Sequence, residues 1–226
     1  MNGFFVTGIG TGIGKTVVSA VITEALNADY WKPIQCGNQD FTDSDFIKEF
    51  TIHHQTIHAE EYSFPDPVSP HLASKLNNKL IDIQYIKPGR SNNVLIIEGA
   101  GGVMVPISDN LLIKDLIIKL QLPVIVVSMN YLGSINHTLL TIQSLQQQNI
   151  QLAGIIFNGE PDIESENYIL NYTRIKLLGK IPKADIMSKG FIIQQADKIR
   201  ETLLPLLSGQ QEQPQSNNLP IDYESF

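Results

Sequence analysis

A glycine-rich segment near the start of the chain limits the fold more than any other feature. It reads Gly-Ile-Gly-Thr-Gly-Ile-Gly-Lys-Thr from Gly8 to Thr16, after the strand-like run Phe4–Thr7 and at the start of a helix predicted over Lys15–Leu26. Glycines let the backbone curl so that amide N–H groups converge on an anion, and the helix N-terminus adds its partial positive charge. The segment therefore predicts a phosphate-binding loop of the P-loop type between a first strand and a first helix.

The spacing of this loop differs by one residue from the common pattern Gly-x-x-x-x-Gly-Lys-Thr. That pattern requires glycine at position 9, where the chain has Ile9, and the segment begins instead at Gly8. The dinucleotide pattern Gly-x-Gly-x-x-Gly does not match either. A glycine-rich turn that binds nothing is the alternative. Gly-Lys-Thr between a strand and a helix favours phosphate binding, with Lys15 on the β- and γ-phosphates and the Thr16 hydroxyl on Mg²⁺.

Strand-sized apolar runs alternate with helix-length amphipathic segments along the rest of the chain. The predicted strands are Phe4–Thr7, Tyr30–Ile34, Val94–Ile97, Val124–Ser128, Leu152–Phe157 and Lys176–Ile181. The predicted helices are Lys15–Leu26, Asp43–Phe50, Leu112–Leu120, Ile135–Gln148, Glu164–Ile175 and Phe191–Leu206. Strands that are apolar throughout are typical of a parallel sheet covered on both faces. We therefore expect an α/β fold, a P-loop NTPase-type parallel sheet with helices on both faces.

The pattern predicts a single P-loop α/β domain over residues 1–207. Residues 208–226 are rich in Gln, Pro, Ser and Asn and are expected to form a flexible C-terminal tail. The region from Ile57 to Arg90 is less regular and contains four prolines. We interpret it as an excursion from the sheet that shapes a substrate pocket, with a plain surface connection as the alternative.

Composition excludes several classes of partner. The formal net charge is −7 and no basic stripe is present, which argues against nucleic acid. No run approaches the roughly 20 apolar residues that span a bilayer, and the N-terminus lacks the pattern of a signal peptide. The single cysteine, Cys36, cannot form an intrachain disulfide and fits a reducing compartment. We therefore expect a cytoplasmic protein with no nucleic-acid and no membrane partner.

Seven segments, taken in order, resemble the dethiobiotin synthetase family. They are the long P-loop, Trp31–Gly37, Ser44–Asp45, Ser69–His71, Val94–Gly102, Leu132–His137 and Leu178–Pro182. Each segment alone is a weak signal, but the ordered set, from about residue 3 to about residue 206, is specific. The resemblance implies an ATP- and Mg²⁺-dependent cyclo-ligase that carboxylates 7,8-diaminononanoate with CO₂. ATP then phosphorylates the carbamate, and the second amine closes the ureido ring of dethiobiotin, releasing ADP and phosphate.

The same resemblance implies which residues bind ATP and the metal ion. ATP contacts are implied for Gly12, Ile13, Gly14, Lys15, Thr16, Val17, Asp45, Glu98, Gly99, Ala100, Gly101, Asn158, Gly159, Pro182, Lys183 and Ala184, and Mg²⁺ ligands for Thr16, Asp45 and Glu98. The residues themselves leave alternatives open. A carboxylate buried at the end of an apolar strand, as Glu98 is expected to be, needs a cation or a lysine as partner. Asp45 alone fits a helix start, and Asn158-Gly159 alone fits a turn.

The family resemblance assigns catalysis to Lys32 and Lys15, which stabilise charge on the carbamate and on the transferring phosphoryl group. Substrate contacts are implied for Lys32, Cys36, Leu132, Gly133, Ser134, Ile135 and Asn136. Cys36 replaces the serine that is usual in the family, and sulfur is the weaker hydrogen-bond partner. The last five of these residues come from the neighbouring subunit in the family, which implies a homodimer with the substrate site at its interface. From the residues alone, Lys32 could be a solvated charge, and Ser134 with Asn136 a simple helix cap.

Two other functions share a P-loop core. A regulatory switch ATPase of the partition and septum-positioning group carries a second lysine five residues before the P-loop lysine, where this chain has Gly10. An amidotransferase-type synthetase needs a glutaminase domain, for which we expect no room in this chain. A histidine metal site is also disfavoured. His54 and His58 share a face if their segment is helical, but they and His53 lack a zincin-like glutamate, so we expect a solvated or packing role.

Overall fold

Strands and helices alternate along most of the chain. The computed structural model of the protein describes residues 2–52, 56–89 and 91–208. The strands are β1 Gly3–Gly8, β2 Asp29–Trp31, β3 Ile34–Cys36, β4 Ile57–His58, β5 Tyr62–Phe64, β6 Leu95–Gly102, β7 Val124–Met129, β8 Leu152–Asn158 and β9 Leu177–Ile181. The helices are α1 Lys15–Leu26, α2 Asp43–Phe50, α3 Pro70–Leu76, α4 Ile113–Leu120, α5 Ser134–Gln147, α6 Ile163–Thr173 and α7 Lys189–Leu207.

Seven of these strands form one parallel sheet in the order β4-β2-β6-β1-β7-β8-β9. The first strand is central, since Phe5 pairs with Ile97 of β6 on one side and with Val124 of β7 on the other. The carboxyl ends of parallel strands meet at one edge of a sheet, where ligands of open α/β sheets bind. The glycine-rich loop after β1 therefore lies beside the end of β6, which carries Glu98.

The central strands are covered on both faces. All six residues of β1 are buried, and so are the first five of β7. Successive side chains of a strand point to opposite faces, so continuous burial requires packing on each side. Helix α1 packs against α7 and α2, and α5 packs against α6 and β7. The predicted α/β class and the parallel P-loop-type sheet are confirmed, and α1 and α2 have the predicted bounds.

The segment predicted as one strand over Tyr30–Ile34 is divided in the structure. It forms β2 and β3 on either side of Lys32-Pro33, because proline has no N–H to donate to a sheet ladder. After this break β3 leaves the main sheet and pairs with β5 in a two-stranded sheet. Lys32 thus stands where the chain leaves the main sheet.

The irregular region after residue 56 is only partly an excursion. Its strand β4 pairs with β2 at the edge of the main sheet, so the interpretation is wrong for this strand. The rest, β5 and α3, lies outside the main sheet. His58 belongs to β4 rather than to a helix, while His53 and His54 lie outside the described residues. Residues 209–226, which make up nearly all of the predicted tail, also lie outside them. No helix in the described parts of the chain combines the length and the apolar character needed to cross a bilayer.

Candidate functional site

The loop between β1 and α1 is shaped by glycines in the left-handed region. Gly14 stands at the N-cap of α1 with φ 83°, and Gly12 has φ 74°. The side chain of Lys15 is buried and folds back over the loop, where its Nζ donates to the Gly10 carbonyl at 2.8 Å. Burial lowers the pKa of Lys15 to about 8. The lysine that the P-loop pattern assigns to phosphates therefore lies against the backbone of the loop.

A buried ionic cluster lies directly beside the loop. The Thr16 hydroxyl is 2.6 Å from Asp43 Oδ1 and 3.0 Å from Glu98 Oε1, and either oxygen can accept its proton. The Lys32 ammonium donates to Glu98 Oε1 at 3.0 Å and forms an ion pair with Asp43. Lys32 and Glu98 are 6% and 1% exposed, so protein groups rather than water solvate these charges. Four residues from separate chain segments therefore meet at one point.

Mutual attraction keeps Lys32 and Asp43 charged. Burial alone would lower the pKa of Lys32, but the charges of Glu98 and Asp43 outweigh it and hold that pKa above its ordinary value. Burial alone would raise the pKa of Asp43, but Lys32 and the hydrogen bond from Thr16 hold it below the ordinary value. An ammonium on Lys32 next to an ionised Asp43 is therefore the resting state of this pair at neutral pH.

The second oxygen of Glu98 has its own partner. Tyr30 is completely buried, and its hydroxyl donates to Glu98 Oε2 at 2.9 Å. Burial, together with the charge of Glu98, holds the pKa of Tyr30 well above its ordinary value, so the hydroxyl keeps its proton. Both carboxylate oxygens of Glu98 are thus engaged.

The donor set of this cluster suits a magnesium ion that accompanies a nucleotide. Mg²⁺ prefers hard oxygen ligands at about 2.1 Å in octahedral geometry, which places neighbouring ligands about 3 Å apart. The oxygens of Asp43 and Glu98 stand 2.6 Å and 3.0 Å from the hydroxyl oxygen of Thr16. Among the described residues, no three His, Cys, Asp or Glu side chains are grouped to hold a metal ion. Phosphate oxygens and water would therefore complete the coordination, as is usual for Mg²⁺.

The structure does not bring Asp45 to this cluster, and its predicted contacts with ATP and Mg²⁺ remain predictions. Asp45 is exposed, and its carboxylate accepts hydrogen bonds from the backbone N–H and the hydroxyl of Thr42. The Thr42 hydroxyl in turn accepts from the Asp45 N–H at 3.1 Å, which completes a capping box at the start of α2. Asp43, two residues earlier, is the carboxylate that faces Thr16 and Lys32. The sequence shows two acidic residues in this turn. It does not show the rotation of α2 about its axis, which decides which of the two carboxylates faces the cluster.

Asn158 and the end of β6 also lie against the loop. The Asn158 amide donates to the Ile13 carbonyl at 3.0 Å. Strand β6 continues beyond the predicted end through Gly99, Ala100 and Gly101, and Gly101 has φ 70°. Asn158 thus braces the phosphate loop, a contact that the sequence did not predict.

A cavity of about 220 Å³ opens next to Asn158, and Gly159, Pro182 and the ion pair of Glu166 with Lys180 also line it. Lys183 and Ala184 follow Pro182 along the chain. The predicted ATP contacts of Gly12, Val17, Asn158, Gly159, Pro182, Lys183 and Ala184 remain predictions.

The segment 132–136 lines a different and larger cavity. Its volume is about 940 Å³, and Tyr168 of α6 also lines it. Gly133 is the N-cap of α5 with φ 100°, Ser134 is buried, and Ile135 and Asn136 follow in the first turn. The side chain of Leu132 is fully exposed. The structure therefore brings Lys15, Thr16, Lys32 and Glu98 together but leaves segment 132–136 in a separate cavity.

Cys36 ends β3 and is half-buried. Burial raises the pKa of its thiol to about 11, against a smaller opposing effect of the Lys32 charge. Cys36 is therefore a neutral thiol near the buried cluster, and its predicted substrate contact remains a prediction.

Comparison with protein families and curated proteins gives a consistent result. A model of the family described as AAA domain matches residues 2–189. The chain is 45% identical to the ATP-dependent dethiobiotin synthetase BioD of Cytophaga hutchinsonii over 202 residues, covering 88% of this chain and 97% of that protein. It is 36% identical to the protein of the same name from Chlamydia pneumoniae over 201 residues, covering 89% and 90%. The resemblance seen in the sequence is confirmed.

Solved structures of low identity share the fold. A ParA family ATPase from Chlorobium tepidum has a TM-score of 0.55 at 12% identity, covering 89% of this chain and 97% of that chain. A chain of the MinC:MinD cell division protein complex of Aquifex aeolicus has a TM-score of 0.55 at 13% identity, covering 98% of each chain. At these identities the likeness establishes the architecture alone.

The contact between Gly14 and Asn158 gives a first prediction. A Cβ at Gly14 would lie 2.1 Å from the Asn158 amide nitrogen, and φ is +83°. Gly14→Ala should weaken nucleotide binding at least about tenfold, because the left-handed conformation strains alanine and the clash displaces the amide that braces the loop. Titration calorimetry with ADP measures this. Gly190→Ala, where the nearest neighbour is 3.9 Å away, is the control and should bind normally. Equal affinities for the two variants would contradict the prediction.

The alternative carboxylates of α2 give a second prediction. Asp43→Asn should reduce the Mg²⁺-dependent gain in ADP affinity at least about tenfold, because it removes the charged oxygen beside Thr16. Asp45→Asn should leave that gain unchanged within about twofold, since Asp45 only caps the exposed helix start. Calorimetry in Mg²⁺ and in a chelator measures the gain for each variant. A larger loss for Asp45→Asn would return the metal assignment to Asp45.

Proposed function

Because this chain belongs to the ATP-dependent dethiobiotin synthetase family, we propose that its buried cluster of Lys32, Asp43 and Glu98 is where ATP-driven ring closure takes place. The protein is an ATP-dependent dethiobiotin synthetase of biotin biosynthesis. The observation that supports this location is the Lys32 ammonium, which is buried against two carboxylates next to the phosphate loop. The switch-ATPase alternative gains no support, since the ParA and MinD likenesses concern the fold alone.

The proposed reaction has three steps. A substrate amine attacks CO₂ and loses a proton, which forms a carbamate. A carbamate oxygen attacks the γ-phosphorus of ATP, and ADP leaves. The second amine of 7,8-diaminononanoate then attacks the carbamate carbon, phosphate leaves, and the cyclic urea of dethiobiotin results. Negative charge builds on oxygen in the last two steps, so catalysis requires fixed positive groups at that place.

Lys32 is suited to stabilise that charge. An ammonium has three N–H donors, and two of them are directed at Asp43 and Glu98. No acceptor among the described residues engages the third, which leaves it for a carbamate oxygen or a phosphoryl oxygen. Because the two carboxylates fix the nitrogen in position, little side-chain entropy is lost when the transition state forms.

Lys15 acts from the side of the phosphate loop. Its Nζ donates to the Gly10 carbonyl, and phosphate oxygens would be the acceptors that replace this carbonyl. A glycine-rich loop of this kind can turn its backbone amides toward the same anion. Thr16, Asp43 and Glu98 would hold Mg²⁺, which when bound neutralises phosphate charge. Lys15 and Lys32 therefore approach the transferring group from two sides.

We also propose that the protein works as a homodimer in the cytoplasm. Leu132 is fully exposed beside the larger cavity, and Tyr131 and Tyr168 are also exposed there. Apolar side chains grouped in this way favour coverage by a second subunit. The backbone amides at the start of α5 suit the carboxylate of the diamine substrate. The single cysteine, Cys36, cannot form an intrachain disulfide and fits a reducing compartment.

The activity itself is directly testable. Incubation with 7,8-diaminononanoate, bicarbonate and Mg·ATP should yield dethiobiotin, detected by mass spectrometry, together with stoichiometric ADP. Omission of the diamine should nearly abolish ATP hydrolysis, because no carbamate forms to accept the phosphoryl group. Rapid hydrolysis that is indifferent to the diamine would contradict the proposal and favour a switch ATPase.

The role of Lys32 gives a separate prediction. Lys32→Met keeps the aliphatic length but removes the ammonium, so dethiobiotin formation should fall at least about 10²-fold. ADP affinity in a chelator should stay within about threefold, because Lys32 does not form the phosphate loop. Lys75→Met removes an exposed lysine that pairs with Asp109 away from the cluster, and it should keep full activity. If Lys32→Met lost only a small part of its dethiobiotin-forming activity, the catalytic role of Lys32 would be contradicted and its role would be structural.

A further inference from the structure

We infer that Tyr30 is a positioning residue for Glu98. Its hydroxyl fixes one oxygen of the carboxylate and thereby aims the other at Thr16 and Lys32. The inference rests on the proposed function, because it matters only if Glu98 acts at the phosphate end of the nucleotide. Tyr30 touches neither the phosphate loop nor a substrate-facing group other than Glu98 in the described hydrogen bonds.

The register of the sheet places the two side chains together. Tyr30 of β2 pairs with Ile96 of the parallel strand β6. Side chains two residues apart on a strand point to the same face, so Glu98 projects on the side of Ile96 and diagonally from Tyr30. A long aromatic side chain reaches such a diagonal neighbour. The observed 2.9 Å hydrogen bond is the result.

The Glu98 carboxylate needs this contact in order to be fixed. The terminal torsion of a glutamate is soft, so the carboxylate plane turns easily unless both oxygens are held. Thr16 and Lys32 both contact Oε1, and within the described residues Tyr30 is the only hydrogen-bond donor to Oε2. Glu98 is 1% exposed, so water does not replace a missing donor. Without the hydroxyl, Oε2 is buried and unsatisfied, and the carboxylate is free to rotate toward another donor.

The hydroxyl can be separated from the packing of the ring. Phenylalanine fills the same space as tyrosine, so Tyr30→Phe removes the donor and little else. Tyr62 provides a matched control. It is also buried, and its hydroxyl donates to the Asp82 carbonyl at 3.3 Å and accepts from the Asp82 N–H at 3.1 Å, at the small two-stranded sheet. Tyr62→Phe therefore removes a buried tyrosine hydroxyl without touching Glu98.

The test compares ADP binding by calorimetry in Mg²⁺ and in a chelator, for wild type, Tyr30→Phe, Tyr62→Phe and Glu98→Gln. Partners that orient a metal ligand typically contribute about 10- to 100-fold to metal affinity. Tyr30→Phe should therefore lose at least about tenfold of the Mg²⁺-dependent gain in ADP affinity, with the affinity in chelator unchanged. Tyr62→Phe should match wild type in both conditions. Tyr30→Met, which also lacks the hydroxyl, is the second variant if Tyr30→Phe folds poorly, as judged by its thermal midpoint.

The outcomes separate this inference from the proposed function. If Glu98→Gln loses the Mg²⁺-dependent gain and Tyr30→Phe keeps it, the role of Tyr30 is overturned and that of Glu98 stands. If Glu98→Gln keeps the gain, the proposed role of Glu98 fails and the inference fails with it. If Tyr30→Phe weakens ADP binding equally with and without Mg²⁺, its hydroxyl is structural and the inference is again overturned. Loss of the gain in both variants, with normal binding in chelator, supports it.

Discussion

The site depends on one buried ammonium that two carboxylates share. Lys32 follows β2, Asp43 begins α2 and Glu98 lies in β6, so the contact joins segments that are far apart in sequence. Removing the charges of Lys32 and Glu98 from water costs several kcal/mol for each ion, which well-packed apolar residues at the same place would avoid, while Asp43 stays partly exposed. An ionic cluster of this kind is therefore poor evidence for stability, but it suits a site that must hold charge in a fixed place.

The sheet topology explains why these residues meet at the phosphate loop. Strand β1 lies between β6 and β7, so the turn that follows it opens beside the carboxyl end of β6. Next to β6, β2 ends where Pro33 interrupts the main-sheet pairing, and this break places Lys32 at the same edge. The proline that divides a predicted strand is thus part of what builds the site. If β2 continued to pair with β6 as far as Ile34, Lys32 would lie within the strand rather than at the edge of the sheet.

The sequence was a good guide wherever a local pattern carries its own physical reason. The glycine-rich loop, the apolar strands and the bounds of α1 and α2 follow from backbone freedom, burial and amphipathic spacing, and the fold class follows from them. Asp43 and Asp45 could not be told apart in this way. Both stand in the first turn of α2, and which one faces inward depends on the rotation of the helix against β2 and α1. The contact of Tyr30 with Glu98 could not be predicted for a related reason. A tyrosine in an apolar strand is expected to be a core residue, and only the strand register places its hydroxyl against Glu98.

The contact of Lys15 with the Gly10 carbonyl affects the free-energy cost of binding a nucleotide. The buried ammonium of Lys15 has a backbone acceptor inside the loop, and the loop is tied to Asn158 through the Ile13 carbonyl. The backbone of this segment therefore loses conformational entropy when the chain folds, rather than when the nucleotide binds. Nucleotide association would then exchange the Gly10 carbonyl for a phosphate oxygen as the acceptor of Lys15. Preorganisation of this kind leaves more of the contact energy available as affinity.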